Sequence, residues 1–168
     1  NKIMKKFIIK GPNKAIKGEV DISGAKNSCL PLMAASILFK NKVVLKNVPF
    51  VKDVYTMKDL LVSLGAKVDF SESKKIMTIT NNKKHKLLVS HDRVSTMRSG
   101  VLTMGPLLAR YPNKEIKVAL GGGCALGIRD TNWHLAGFRS LGAVNNLNKG
   151  YVNLSAKQGL IGSKYKFP

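Results

Sequence analysis

Hydrophobic residues after Asp53 recur at the spacing of one face of an α-helix: Val54, Met57, Leu60, Leu61 and Leu64. This period predicts an amphipathic helix with Asp53 as its N-cap. Gly65 is placed to end the helix, because glycine takes the left-handed conformation at little cost. The stretches AKVDF and KIMTIT that follow have the composition and alternation of strands, with the turn SESKK between them.

The same pattern returns 77 residues further along the chain. Residues 53–68 match residues 130–145, with Asp53 opposite Asp130 and Ser-Leu-Gly-Ala in both copies. Upstream, LPLMAASIL resembles GPLLARYP, and each is followed by a strand-like segment, KVVLKNV or EIKVAL. The chain therefore contains an internal repeat of helix, strand, loop, helix and two strands. In the second copy, GYVNLS is the closing strand, Gly142 ends the helix, and the predicted apolar helix face consists of Trp133, Leu135, Ala136, Phe138 and Leu141.

The first helix of each repeat has almost no polar face. Residues 26–39 and 96–110 are apolar nearly all round. A helix of this kind is buried on most sides. We therefore expect an α/β fold in which each repeat has one enclosed helix, one outer helix and a small sheet.

Composition changes this picture in one respect, the net charge of +20. Such a charge fits nucleic acid, an anionic membrane surface or anionic small substrates. The lysines are scattered and aromatic residues are only 7 % of the chain, whereas nucleic-acid modules interleave the two. We interpret the charge as compositional drift with a solvated surface.

Location and metal content follow from what the sequence lacks. No apolar run approaches the length of a membrane span, and the start of the chain lacks the apolar core of a signal peptide, so we expect a cytoplasmic protein. The two cysteines and three histidines have no metal-ligand spacing, so we expect no metal.

Candidate chemistry is concentrated in four polar segments, of which two begin the apolar helices. In SGAKN (residues 23–27), a glycine turn leads to Lys26 at a predicted helix start. A cation is unfavourable there, because the N-terminal end of the helix dipole is also positive, unless an anion binds at the same place. A lysine with its head in water is the alternative. In MRSG (residues 97–100), Arg98 occupies the matching place, and an exposed arginine at a helix end is the alternative.

The third segment is GGGCALGIRD (residues 121–130). Its glycines can bring backbone N–H groups close to a ligand or form an anion-binding nest. Cys124 then lies beside these donors and near Arg129, surroundings that favour a reactive thiolate. A buried inert cysteine is the alternative, although a packing cysteine does not need a glycine run.

The fourth segment is RDTNWH (residues 129–134), in which Asp130 either serves the site or only caps the helix. Arginine suits planar phosphate or carboxylate recognition. Together the segments supply three cations, two amides and one thiol, a set that suits a phosphorylated, multiply anionic substrate: Lys26, Arg98, Arg129, Asn27, Asn132 and Cys124.

Three ordered motifs carry a family resemblance: SGAKNSCLPLMAASIL, TMRSGVLTMGPLLAR and GGGCALGIRDTNWHLAGFRSLGA. Over residues 7–168 the chain resembles the enolpyruvyl transferases, and among them those that act on UDP-N-acetylglucosamine. The sister enolpyruvylshikimate phosphate synthases share the fold but have glycine-serine-lysine-serine where this chain has GAKN. The resemblance implies an inside-out α/β barrel of two domains, with buried parallel helices and small four-stranded sheets. Residues 1–24 would belong to the second domain, and residues 25–168 to about two of the three repeats of the cysteine-loop domain. We expect the chain to be an N-terminal part of a longer protein.

The resemblance also implies an activity, the transfer of the enolpyruvyl group of phosphoenolpyruvate to the 3′-hydroxyl of UDP-N-acetylglucosamine, the committed step of peptidoglycan synthesis. It implies catalytic roles for Cys124, Lys26 and Arg129, with Cys124 on a mobile lid as proton donor or covalent partner and as the residue that fosfomycin alkylates. The implied substrate-binding residues are Lys26, Asn27, Arg98, Arg129, Asp130, Thr131, Asn132 and Trp133. The family usually has arginine-proline-valine-aspartate-leucine where this chain has RDTNW.

The expected partners are therefore the two small substrates, with no cofactor, nucleic acid or membrane, and the whole protein is expected to be a monomer. The general base and another phosphate-binding arginine are expected outside this chain, which alone should be inactive. Two alternatives stay open from the residues alone: a basic nucleic-acid-binding module, and a relative such as an RNA 3′-phosphate cyclase with the same repeat fold.

Overall fold

The fold is known from a computed structural model that describes residues 7–11, 14–81, 84–94, 99–120 and 131–167. Within these residues five helices and seven strands follow one another along the chain. They are α1 (Lys26–Ala35), β1 (Lys42–Leu45), α2 (Lys52–Leu64), β2 (Lys67–Ser71), β3 (Ile76–Thr80), β4 (Leu88–Val89), α3 (His91–Val94), α4 (Ser99–Arg110), β5 (Ile116–Ala119), α5 (Asn132–Ser140), β6 (Val144–Asn148) and β7 (Tyr151–Ser155). One turn of 3₁₀-helix, Ser36–Leu38, continues α1.

The strands form two sheets that repeat the same order. The first sheet is β1-β3-β2 and is antiparallel throughout. The second is β4-β5-β7-β6, in which β5, β7 and β6 take the places of β1, β3 and β2. The short β4 adds a parallel strand beside β5. The internal repeat is therefore confirmed at the level of topology, although the first sheet has three strands in the described residues rather than four. Residues 15–25, which precede α1 as β4 precedes α4, contain no strand.

Helix α2 follows its sequence pattern closely. The five positions predicted to form its apolar face are all fully buried. Gly65 ends the helix in the left-handed region with φ of 108°. The prediction that Asp53 is the N-cap was wrong, because Val51 precedes the helix and Asp53 is its second residue. The Asp53 carboxylate contacts Lys26 instead.

Of the two apolar helices, α1 is buried less completely than its sequence predicted, whereas α4 is buried or partly buried at most of its described positions. α1 packs against α2 and α4, and it buries Cys29, Leu30, Met33 and Ala34. Leu32, however, is 54 % exposed on the outer side of α1. In the second repeat, α4 ends at Arg110 as predicted, with Met104, Leu107 and Leu108 fully buried. Both helices contain a proline at matching positions, Pro31 and Pro106.

The apolar face predicted for the second outer helix is correct only in part. Leu135 is buried, and Phe138 packs against the core. Trp133 is 51 % exposed, so its assignment to the buried face was wrong. Its position as second residue of α5 places it at the helix end, away from the packed middle.

A partly buried polar network joins the two repeats at the C-terminal ends of α1 and α4. The Arg110 guanidinium donates to the carbonyl oxygens of Ile37, Phe39 (2.6 Å) and Asn81 (3.2 Å). These carbonyls belong to the first repeat and Arg110 to the second, so the guanidinium ties the two units together. Bringing these two ends together is the arrangement expected of parallel helices in successive repeats.

Candidate functional site

A close backbone approach positions the start of α1. Gly24 lies against the loop after β1, where an added Cβ would overlap the carbonyl oxygen of Asn47. The Asn47 side chain in turn donates to the Ile22 carbonyl oxygen over 3.4 Å. Only glycine permits this approach. It fixes the chain two residues before Lys26 and so sets where the helix begins.

Lys26 and Asn27, two of the predicted site residues, are the first two residues of α1, and both are exposed. The first intrahelical acceptor is the carbonyl oxygen of Ala25, which receives the N–H groups of Ser28 and Cys29. Ala25 provides no side-chain cap, and the first turn contains no acidic residue. The helix therefore presents free N–H groups, an ammonium and an amide side chain at its positive end, which suits an anionic ligand.

Asp53 supplies the carboxylate that α1 itself lacks. Its Oδ2 lies 2.7 Å from the Lys26 Nζ. The side chains are 47 % and 33 % exposed, so solvent screens the pair and its contribution to stability is about 0–1 kcal/mol. Sequence reasoning missed this partner because it assigned Asp53 to capping. The available signal was the repeat itself, since Asp53 stands opposite Asp130 in the segment assigned to the site.

Three further predicted site residues lie at the start of α5. Thr131 immediately precedes the helix, and Asn132 and Trp133 are its first two residues. The large exposed fraction of Trp133 leaves its indole available to a ligand. The described site residues thus stand at two helix N-termini, those of α1 and α5.

Four predicted site residues, Arg98, Cys124, Arg129 and Asp130, lie outside the described residues. The other cysteine, Cys29, is buried in α1. Burial raises the pKa of the Cys29 thiol above its ordinary value, which suppresses the reactive thiolate. Cys29 therefore has the properties of a packing residue.

Neither a metal-ligand cluster nor a membrane-spanning helix is found in the described part of the chain. This part contains no group of three or more His, Cys, Asp or Glu side chains placed to hold a metal ion. None of its helices is long and apolar enough to cross a membrane.

Comparison with known proteins decides the family. The sequence profile of EPSP synthase (3-phosphoshikimate 1-carboxyvinyltransferase) matches residues 10–167. The chain belongs to the EPSP synthase family. Its family resemblance to enolpyruvyl transferases is thereby confirmed.

Several curated proteins share more than two fifths of their aligned residues with this chain. UDP-N-acetylglucosamine 1-carboxyvinyltransferase of Pelagibacter ubique is 44 % identical over 165 residues, that of Gluconobacter oxydans 42 % over 165, and that of Thermodesulfovibrio yellowstonii 43 % over 164. Each alignment covers 98 % of this chain. The chain spans 38 % of the length of each of these relatives.

Two solved structures have the same fold. The enolpyruvyl transferase NikO from Streptomyces tendae superposes with a TM-score of 0.72 at 19 % identity, over 89 % of this chain and 32 % of that chain. EPSP synthase from Acinetobacter baumannii superposes with a TM-score of 0.63 at 20 % identity, over 92 % and 35 %. The α/β class and the enolpyruvyl transferase architecture predicted from the sequence are confirmed.

Proposed function

We propose that this chain forms part of a UDP-N-acetylglucosamine 1-carboxyvinyltransferase. The observation that carries the proposal is its 44 % identity, over 98 % of its length, to a relative of that name. The GAKN sequence at residues 24–27 also differs from the glycine-serine-lysine-serine expected of the shikimate enzymes. No finding above favours the nucleic-acid-binding or the cyclase-like alternative.

In the proposed reaction, the 3′-hydroxyl oxygen of UDP-N-acetylglucosamine bonds to C2 of phosphoenolpyruvate. C3 accepts a proton, and the hydroxyl proton leaves to a base outside this chain. The tetrahedral adduct then loses a proton from C3 as the bond from C2 to the phosphate oxygen breaks. Enolpyruvyl-UDP-N-acetylglucosamine and inorganic phosphate are the products.

Residues of this chain would bind the charged groups of the substrates and deliver one proton to C3. Lys26 stands at a helix N-terminus that favours anions, and with Arg98 and Arg129 it would bind the phosphate and carboxylate groups of phosphoenolpyruvate. Asn27, Asp130, Thr131, Asn132 and Trp133 would bind the sugar nucleotide. Cys124, in its glycine-rich segment, would deliver the proton to C3 or bond covalently to the substrate.

The domain assignment belongs to the same proposal. Residues 25–168 would be about two repeats of the cysteine-loop domain, and residues 1–24 would belong to a second domain. The described part of this first segment has exposed apolar side chains, among them Phe7, Ile9 and Val20, each more than 80 % exposed. Exposed apolar side chains grouped in one segment are typical of an interaction surface, which supports packing of this segment on a second domain. We further propose that the enzyme is a cytoplasmic monomer serving peptidoglycan synthesis, and hence cell shape and division, and that fosfomycin targets it.

The proposal is tested by alkylation of Cys124 with fosfomycin in the presence of UDP-N-acetylglucosamine. The protein is a hybrid in which these 168 residues replace the matching segment of the Pelagibacter ubique relative. Peptide-resolved mass spectrometry should find the adduct on Cys124, the thiol opening the epoxide. Cys29 is the internal control, because its buried thiol should stay unmodified. An unmodified Cys124, or equal modification of both cysteines, would count against the proposal.

A further inference from the structure

The contact between Lys26 and Asp53 joins the N-terminal ends of two helices. Lys26 is the first residue of α1 and Asp53 the second of α2, and the two helices pack together. The Lys26 Nζ lies 2.7 Å from Asp53 Oδ2, the distance of a charge-assisted hydrogen bond. Asp53 is 27 residues away in sequence, so only the tertiary fold brings the pair together.

Helix electrostatics favour one member of the pair and disfavour the other. A carboxylate in the first turn of α2 is stabilised by the positive end of the helix dipole, whereas an ammonium at the start of α1 is destabilised. With no acid in its own first turn, Lys26 takes its countercharge from α2. The Asp53 carboxylate therefore lies where it offsets the unfavourable position of the lysine.

The solvent exposure of Lys26 and Asp53 indicates that their contact orders the lysine side chain rather than stabilising the fold. With a third to a half of each side chain in water, the ion pair adds little to folding. It does restrict a long side chain that otherwise samples many rotamers. An ammonium has three N–H donors, so one can remain on Asp53 while two are free for an oxyanion.

We propose that Asp53 is a positioning residue that holds the Lys26 ammonium in place for phosphoenolpyruvate. The inference rests on the proposed function, in which Lys26 binds that substrate. It adds a residue that touches Lys26 rather than the substrate. The repeat supports it, because Asp53 stands opposite Asp130 of the second copy, which sequence analysis assigns to the substrate site.

The test is the steady-state kinetics of Asp53→Ala in the hybrid enzyme. Losing the pre-ordered ammonium should raise the KM for phosphoenolpyruvate about threefold to tenfold, and should change the KM for UDP-N-acetylglucosamine less than about twofold. Asp53→Glu should recover part of the loss by keeping the carboxylate. The matched control is Asp69→Ala, which removes an exposed aspartate paired with Lys67 at 3.8 Å and should leave both KM values unchanged.

A double-mutant cycle separates positioning from a general structural role. In a Lys26→Met background, Asp53→Ala should produce no further change in the KM for phosphoenolpyruvate, because there is no ammonium left to orient. The thermal unfolding midpoint should be nearly the same in all variants.

Three results would overturn the inference while the unsubstituted hybrid is active. The first is an unchanged KM for phosphoenolpyruvate in Asp53→Ala. The second is a lowered KM for phosphoenolpyruvate, which would show that Asp53 competes with the substrate. The third is that Asp53→Ala changes this KM by the same factor in the Lys26→Met background as in the unsubstituted hybrid. An inactive unsubstituted hybrid would instead contradict the proposed function, so the two failures are distinguishable.

Discussion

At the scale of single residues, His85 shows how a buried polar side chain is satisfied. The Tyr111 hydroxyl accepts from the His85 backbone N–H (2.9 Å) and lies 2.7 Å from Nδ1. His85 Nε2 lies 2.9 Å from Asn81 Oδ1, and the Asn81 amide donates to the Ser36 carbonyl oxygen. If the imidazole is neutral and its proton is on Nε2, that N–H donates to Asn81 Oδ1 and Nδ1 accepts from the Tyr111 hydroxyl, so each hydrogen bond has one donor and one acceptor. The network therefore specifies an uncharged histidine.

The same surroundings fix how His85 responds to pH. Burial lowers the pKa of His85 below its ordinary value, and the nearby Arg110 charge lowers it further. The unfolded chain therefore binds a proton at a higher pH than the folded protein does. The stability that the neutral ring contributes is complete above about pH 6.5, and it is lost as the pH falls from there towards the lowered folded value.

This titration predicts a pH-dependent stability that His85→Gln flattens. Between about pH 7.5 and pH 5.5 the free energy of unfolding should fall more steeply in the unsubstituted chain than in the variant, which cannot take up the proton. Urea denaturation at a series of pH values measures both slopes. Equal slopes would contradict the assignment of a lowered pKa to His85.

At the scale of elements, α2 shows which signals in a sequence are sufficient. Its apolar period and its terminal glycine are local properties, and both predicted the helix correctly. The strands β2 and β3 were likewise predictable from their alternation and the turn between them. The one-turn α3 and the two-residue β4 gave no such signal, because they are too short to carry a period.

The end of α2 provides a test of its backbone conformation. Gly65 has φ of 108°, and a Cβ there would meet only the Lys84 carbonyl oxygen at an ordinary 3.4 Å. The cost of Gly65→Ala is therefore backbone strain, about 1–2 kcal/mol of unfolding free energy. Gly18→Ala is the control, since a Cβ on Gly18 has no neighbour within 4 Å and φ there is not positive. Equal denaturation midpoints for the two variants would contradict the left-handed helix end.

The candidate site was predictable in composition but not in its contacts. Lys26 and Asn27 lie at a helix N-terminus as expected, because the glycine turn and the apolar run after it define that end. The partner of Lys26 was not predictable from α2 alone, since an aspartate at a helix start looks like a cap. Trp133 was assigned to a buried face for a similar reason: helical periodicity gives the direction of a side chain but not how far the packing reaches.

At the scale of the whole molecule, two copies of one unit share a single core. Buried residues of both repeats belong to the same hydrophobic cluster, from Met33 and Leu61 to Leu108 and Leu154. Arg110 reinforces this junction by donating to carbonyls of the other repeat. The shared core fixes the position of α1, and with it the start of that helix. The residues proposed to complete the site are distributed over both repeats.

The central claim is that these residues support enolpyruvyl transfer to UDP-N-acetylglucosamine. Its most direct test is phosphate release from phosphoenolpyruvate by the hybrid enzyme, compared for that acceptor and for 3-phosphoshikimate. We predict release with UDP-N-acetylglucosamine only, at a lower but still measurable rate in Lys26→Met. Absence of release under conditions in which the intact Pelagibacter ubique relative is active, or equal release with 3-phosphoshikimate, would contradict the claim.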